Sequence, residues 1–451
     1  MFFISSEQDI WQSRTTFFFG LIAATLGLGN VWRTAGLAAE HGGGVFWIVY
    51  VLLMVLIAVP VVLSEAVVGR AANGGVANAV EVFAQRSGAS RRWGGLGLFA
   101  AASSLLAAVS LLLTAGWVVA VGLDLAKGEF AAVSLLQVGT YFQTLDADHG
   151  RTLGISLTVL ACLITILTIG VKRGLGFFVW LVSLSIFALL IILVYHSLLA
   201  GDVTAAGAYL FQSDVSAMTW KTFLYALMQA MTTLCLGLGV VSTYAAYASK
   251  EVPLGRVMLA ICVFDVGFGV LAGVIAYPLI FAQDITPARG LSLMFIALPQ
   301  AYGNVVQGDL MGSLYYLMTL LVISGTLIAL LQVIVSFVMQ WTRLSRFVVA
   351  PLLGLCMAGL LWVVYQWIGS QPGYSTWFLV AISDRLLSTI LVPMVALGFA
   401  FLVGWRASTV GLVRALDRES HTFIRLWMSS LKYLVPLAST MLLTMGWLMY
   451  V

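Results

Sequence analysis

The stretch GLIAATLGLGNVWR, residues 20–33, starts as an apolar helix and breaks off at Gly27-Leu28-Gly29, with Asn30 and Arg33 just beyond. It lies inside a membrane-length apolar segment, about residues 14–39. A helix interrupted in mid-membrane leaves backbone N–H and C=O groups without partners, which hydrocarbon does not tolerate. Such a break is stable where those groups face a ligand. The N-terminus of the second half offers amides and partial positive charge to an anion such as a carboxylate, while unwound carbonyls and Asn30 offer hard oxygens to a cation. The motif returns at MTTLCLGLGVVSTYAAY, residues 231–247, where Gly237-Leu238-Gly239 again falls in mid-segment beside Thr233. Glycines also let membrane helices approach closely, but two such breaks five segments apart point to a transporter built from inverted repeats, with its site between the broken helices.

The composition sets the class. Of 451 residues 61% are hydrophobic and 9% charged, with a mean hydropathy of +1.05, whereas a soluble domain carries roughly 25% charged residues. The long continuous apolar segments specify an all-α integral membrane protein rather than an outer-membrane barrel. The mixed opening MFFISSEQDI and the long apolar run after it do not read as a cleavable signal peptide. A net charge of +4, spread over short loops, gives no nucleic-acid patch. The cysteines Cys162, Cys235, Cys262 and Cys356 all fall in apolar segments, and the four histidines have no metal-ligand spacing. No Ser/His/Asp, Cys/His or HExxH arrangement suggests an enzyme, no organic cofactor is expected, and no filter segment or Arg-rich voltage helix suggests a channel.

About eleven transmembrane helices are expected, at residues 14–39, 44–69, 97–124, 152–171, 175–199, 219–247, 254–282, 310–340, 346–369, 376–405 and 428–450, since each needs roughly 20 apolar residues. Residues 285–304 are too short and punctuated to span and read as an outer hairpin loop. With the N-terminus inside, sixteen Lys and Arg collect on the cytoplasmic side, against Lys127, Arg151, Lys221 and Arg289 outside. The expected protein is therefore a multi-pass protein of the cell membrane with a cytoplasmic N-terminus, in the inner membrane if the host has two. Its partners are the lipid bilayer and a small molecule; the sequence leaves the oligomeric state open. The expected organisation is a five-plus-five inverted repeat with helices 1 and 6 broken: residues 1–200, residues 201–405, then a cytoplasmic loop and last helix over 406–451.

Two further signals concern charge inside the membrane. Asp265, in VFDVGFGVLAG, has no basic residue near it in sequence and is a functional candidate because a carboxylate is expensive there; Glu65 serves structure or function equally well. Arg33 and Asp384 lie in the outer halves of the first and tenth spans, so they are expected to pair across the outer mouth as a gate.

These stretches resemble the neurotransmitter:sodium symporter family over nearly the whole chain. GLGNVWR with EHGGGVFWIVY is similar to the family's helix 1 and the start of helix 2, and LGLGVVSTYAAY to the unwound part of helix 6. VFDVGFGVLAGVIAYP is similar to helix 7 of bacterial members, GLSLMFIALP to the folded outer loop, and DRLLSTILVP to helix 10. The resemblance implies sodium as the coupling ion. It implies a first sodium site at Thr25 (backbone carbonyl), Asn30, Thr233 and Asp265, the acidic Asp265 implying chloride independence. It implies a second site at Ala23, Leu26, Val322 and Thr326, with Gly325 where a hydroxyl is usual.

The implied substrate pocket comprises Thr25, Leu28, Gly29, Ala107, Leu111, Thr232, Cys235, Leu238, Thr326 and Leu330. Leu111 stands where the family has a tyrosine against the substrate carboxylate, a loss of roughly 1.5–3 kcal/mol, or about one to two decades of affinity. Thr232 replaces an aromatic lid. Gly27, without the Asp of monoamine carriers, favours an amino acid over a monoamine. At the inner gate Gln8 and Gln340 replace an ion pair, while Trp11 and Tyr247 remain. The expected function is sodium-coupled import of a small neutral amino acid or related zwitterion by alternating access. The competing readings are an uncoupled or proton-driven carrier of the same fold and a ligand sensor that does not transport.

Overall fold

In the computed structural model, residues 11–72, 74–249, 251–371, 374–408, 412, 416 and 418–449 are described, and among them there is helix but no strand. Nine continuous helices among these residues are long and apolar enough to cross a bilayer: Gly44–Arg70, Arg91–Ala126, His149–Ile169, Val171–Ala200, Leu254–Ala282, Gly308–Thr342, Arg346–Ser370, Thr376–Arg406 and His421–Met445. The two remaining expected segments are interrupted. The first runs as Arg14–Thr25, Leu28–Trp32 and Thr34–Glu40, starting where Ser13 accepts a hydrogen bond from the Thr16 amide at 3.0 Å. The sixth runs as Trp220–Thr233 and Val240–Ala246.

The two broken segments lie antiparallel. Near the start of the first, the Trp11 indole donates to the Tyr244 carbonyl at 3.0 Å, near the end of the sixth. Past the first break, Arg33 Nε donates to Gln229 Oε1 at 2.8 Å, ahead of the second break. Below, the end carrying Arg33 and Asp384 is called outer and the end carrying Trp11 and Tyr247 inner.

Burial separates a core from a jacket. In Gly308–Thr342, 78% of the most apolar window is buried, against 22% in Arg346–Ser370. The latter, with Val171–Ala200, presents large apolar side chains such as Phe347, Leu355, Ile191 and Phe177 outward, as a lipid-facing surface does.

Several span ends differ from expectation. The third helix begins at Arg91 rather than 97, the eighth covers Gly308–Thr342, and the last starts at His421 rather than 428, because arginines and polar residues extend helices beyond the apolar run that marks them. The 285–304 segment is itself helical from Gly290 to Gly303, bent at a π turn. Four wide π turns, at Met54–Ala58, Leu293–Ala297, Leu387–Leu391 and Ser430–Leu434, each end just before a proline (Pro60, Pro299, Pro393 and Pro436). A proline ring clashes with the carbonyl four residues back and brings no N–H, so the preceding turn widens.

Candidate functional site

At mid-depth the two breaks face one another, and Asp265 sits beside them fully buried. Its carboxylate gathers neutral donors. Asn30 Nδ2 lies 2.6 Å from Oδ1, the Thr233 hydroxyl 2.7 and 2.9 Å from the two oxygens, and the Tyr50 hydroxyl 3.2 Å from Oδ2. Thr233 Oγ1 is also 3.2 Å from Asn30 Oδ1. Four oxygens of three helices, Asn30 Oδ1, Thr233 Oγ1 and both of Asp265, thus converge in a site of hard oxygen ligands with one fixed negative charge, chemistry that suits a small cation. Gly269 packs against this cluster, where a Cβ would make ordinary contact with Thr34 Cγ2 at 3.4 Å and Asn30 Oδ1 at 3.7 Å. No group of three or more His, Cys, Asp or Glu residues placed to hold a metal occurs among the described residues.

This cluster continues outward. The Thr34 hydroxyl lies 3.0 Å from Asn30 Oδ1 and receives a 2.7 Å hydrogen bond from Gln229 Nε2. Gln229 Oε1 accepts from Arg33 Nε, and Arg33 NH1 donates to Asp384 Oδ2 at 2.7 Å. Arg33 also reaches the Thr232 hydroxyl at 3.2 Å. The expected outer pair is therefore formed, and Gln229 and Thr34 tie it to the cation cluster. Neither was singled out from sequence, and neither was Tyr50. Thr34 follows Asn30 by four residues, one helical turn, a spacing that marks it as a neighbour.

The second break is held from outside the broken helix. Cys235, Gly237 and Gly239 have φ of 50°, 75° and 70°, left-handed backbone that glycine adopts freely and cysteine does not. Glu65, fully buried, accepts a 2.7 Å hydrogen bond from the Gly237 amide, while its Oε2 has no partner. The Ser104 hydroxyl donates to the Leu238 carbonyl, and the Cys235 thiol to the Ala24 carbonyl at 3.0 Å. Backbone groups freed by the unwinding are thus met by side chains of neighbouring helices.

A cavity of about 130 Å³ opens between the breaks. Nine of the ten expected pocket residues line it: Leu28, Gly29, Ala107, Leu111, Thr232, Cys235, Leu238, Thr326 and Leu330. Thr25 does not, its hydroxyl being turned back to the Leu21 carbonyl at 2.8 Å. The walls are mostly apolar, with Arg33 and Asp384 at the outer side.

The residues expected for a second cation site meet differently. A Cβ at Gly325 would collide with the Ala23 carbonyl oxygen, so the eighth span packs directly on the first helix there. The Thr326 hydroxyl lies 3.4 Å from the Val322 carbonyl of its own helix. Leu26, at the end of Arg14–Thr25, turns its amide back to the Ile22 carbonyl.

At the inner end Gln8 lies outside the described residues. Its expected pairing with Gln340 therefore lies outside them too, while the Tyr247 hydroxyl is 3.0 Å from Ser336 Oγ and 3.3 Å from Gln332 Nε2. Gln332 lies two helical turns before Gln340, deeper in the membrane, where Arg346 NH1 donates to its Oε1 at 2.7 Å. The Trp11 amide donates to the Tyr247 carbonyl at 3.1 Å. An ion pair is also present, between Arg14 and the exposed Glu251; the guanidinium holds the Glu251 carboxyl below its ordinary range.

The model of the Sodium:neurotransmitter symporter family matches residues 8–98. Over its full length the chain is similar to the sodium-dependent transporter YhdH of Bacillus subtilis (strain 168), 24% identical over 433 residues covering 95% of each protein. A sodium-dependent transporter of Haemophilus influenzae is 24% identical over 452 residues, covering 96% of this chain and 97% of the relative. Among solved structures, that of MhsT in complex with L-phenylalanine superposes with a TM-score of 0.85 at 26% identity, covering 97% of this chain and 99% of the other. These relatives are transporters and not enzymes, and the model that matches residues 8–98 is that of the family the motifs resemble.

Proposed function

We propose that this chain, a sodium:neurotransmitter symporter family member, imports a small neutral amino acid or related zwitterion together with sodium by alternating access. The observation that carries the reading is the convergence of Asn30, Thr233 and Asp265 on one buried point beside the cavity between the breaks. Sodium would replace the hydrogen bonds these oxygens now exchange, with the Thr25 carbonyl completing the set. The substrate carboxylate would meet the Leu28 and Gly29 amides at the start of the outer half-helix, with Ala107, Leu111 and Leu330 around an apolar side chain. The similarity to a protein solved with L-phenylalanine supports an amino acid. The charge of Asp265 makes chloride unnecessary, so uptake should persist when gluconate replaces chloride.

The direct packing of Gly325 on Ala23 supports one sodium per cycle rather than two. The antiparallel broken helices support the inverted repeat of residues 1–200 and 201–405, and the charge bias supports a cytoplasmic N-terminus. A second reading rests on Asp265 itself. Its described hydrogen-bond partners are all neutral donors, so the same carboxylate can carry a proton in place of sodium.

A thermal-unfolding scan against the common amino acids, in sodium and in potassium, tests the proposal, since a ligand that binds the native state raises its stability by mass action. Stabilisation needing both sodium and one class of amino acid supports symport. Stabilisation by sodium alone moves the substrate outside these amino acids, and no sodium effect favours the proton-driven reading.

A further inference from the structure

A second cavity is larger than the one between the breaks. A hollow of about 670 Å³ lies at the outer end, among the helix Leu135–Ala147, the bent hairpin helix and the segment leading into the tenth span. Its walls mix aromatic rings, Phe142, Tyr374 and Trp377, with the imidazole of His149 and one carboxylate, Asp146. Phe142 and Trp377 meet edge to face at 5.2 Å, fixing both rings.

Asp146 is only 8% exposed. Thr376 and Trp377, at a helix N-terminus, lie near it, but its Oδ1 has no hydrogen-bond partner. Among the described residues no Lys, Arg or His nitrogen forms an ion pair with it, in contrast to Asp124 nearby in sequence, which pairs with Arg151 and Lys127. Burial pushes its carboxyl above the ordinary value, opposed by the nearby Thr376 and Trp377 and by His149, which lines the same hollow. A desolvated carboxylate oxygen without a partner is costly and is normally matched by a cation. No group of metal-ligating side chains surrounds it. The aromatic rings instead suit an ammonium group with an apolar flank, which gains from ring faces as well as from the carboxylate.

We propose that this outer hollow is a binding site for an organic ammonium ion, its charge on Asp146 and its apolar part against Phe142 and Trp377. Ser292 and Ile296 of the hairpin form the opposite wall, so an occupant bridges the hairpin and the helix Leu135–Ala147. The site is separate from the cavity between the breaks, and the inference stands apart from the proposed transport function.

The test uses the full-length protein in detergent, titrated by calorimetry with benzylamine and with benzyl alcohol, which has the same shape without charge. The amine should bind at least about tenfold more tightly. Asp146→Asn should reduce it to the level of the alcohol without changing substrate uptake measured in the absence of amine. Trp377→Leu should also weaken the amine. Leu111→Trp, which fills the central cavity, should leave amine binding intact. Should Asp146→Asn fail to fold, the amine-to-alcohol ratio and Trp377→Leu carry the test. Equal binding of amine and alcohol, or amine binding unchanged in Asp146→Asn or lost in Leu111→Trp, overturns the assignment. Nanodiscs of phosphatidylethanolamine against phosphatidylglycerol separate the sources: weaker benzylamine binding only in the former identifies a lipid headgroup as the competing occupant, and equal binding a free amine.

Discussion

Arg33 and Gln229 share a 2.8 Å hydrogen bond, and through it the ion pair at the outer mouth is joined to the carboxylate at mid-depth. Gln229 is fully buried and uses both ends of its amide, accepting from Arg33 and donating to Thr34. Gly29 leaves room for this, since a Cβ there would lie 3.3 Å from Arg33 NH2 and 3.6 Å from Gln229 Nε2. The Arg33–Asp384 pair and the Asn30–Thr233–Asp265 cluster are therefore one hydrogen-bonded unit.

Gln229→Leu should break that unit while leaving every cation ligand in place. Leaving buried partners unsatisfied costs about 1–3 kcal/mol, so half-saturation by sodium in a thermal-shift titration should rise by roughly five- to a hundredfold. An unchanged sodium titration would show that gate and ion site act separately.

Asp265→Asn separates the two coupling readings. If the carboxylate only ligates sodium, uptake into proteoliposomes should remain sodium-dependent, with half-saturation raised tenfold or more through loss of the charge-assisted contact. If it carries a proton, substrate binding should persist while concentrative uptake vanishes.

Gly325→Ser restores in composition the hydroxyl missing from the second cation site. Because any Cβ there meets the Ala23 carbonyl, the substitution should wedge the eighth span from the first helix rather than create a site. A loss of about 1–3 kcal/mol is typical of such overpacking, visible as a lower thermal midpoint at every sodium concentration. A second sodium-dependent rise in midpoint would contradict this.

Acid should loosen the outer collar. His41 stacks on Tyr225 at 4.7 Å, and Arg289 pairs with Glu40 at 2.6 Å. Burial, then the Arg289 charge, holds the His41 imidazole below its ordinary pKa of 6.5. The unfolded chain then binds the proton more readily than the folded one, so stability falls as pH drops below about 6.5. Glu40 works the other way, its carboxyl raised by burial against the pull of Arg289, but nearer its own range around 4.5. The thermal midpoint should decline between pH 7 and 5.5 in the native protein and decline less in His41→Gln.

Features held in one stretch of chain were legible in the sequence. Both breaks were marked by Gly-Leu-Gly, the buried carboxylate by its apolar surroundings, and the outer pair by sign and depth. What escaped depends on contacts between distant segments. Tyr50 reaches Asp265 across 215 positions and Gln229 reaches Thr34 across 195, and nothing local announces either. Membrane hydropathy also hides the short loop helices Val76–Arg86, Leu135–Ala147 and Val203–Phe211, because they bury one face only and raise no apolar run. At the inner mouth Tyr247 meets Ser336 and Gln332, one and two turns before Gln340, a register that only helix packing fixes.

The absent side chain at Gly325 also bears on energy conversion. A carrier that moves one sodium with a neutral solute can concentrate that solute only as far as one ion's electrochemical gradient allows. A tenfold sodium ratio and a potential of 100 mV, about 2.3 kcal/mol per charge, set that ceiling at roughly five hundredfold; a second ion would square it. In the proposed one-sodium cycle, packing one helix directly on another at this point would trade steep accumulation for uptake that draws half the sodium into the cell, an exchange that suits a solute met at moderate rather than trace concentration.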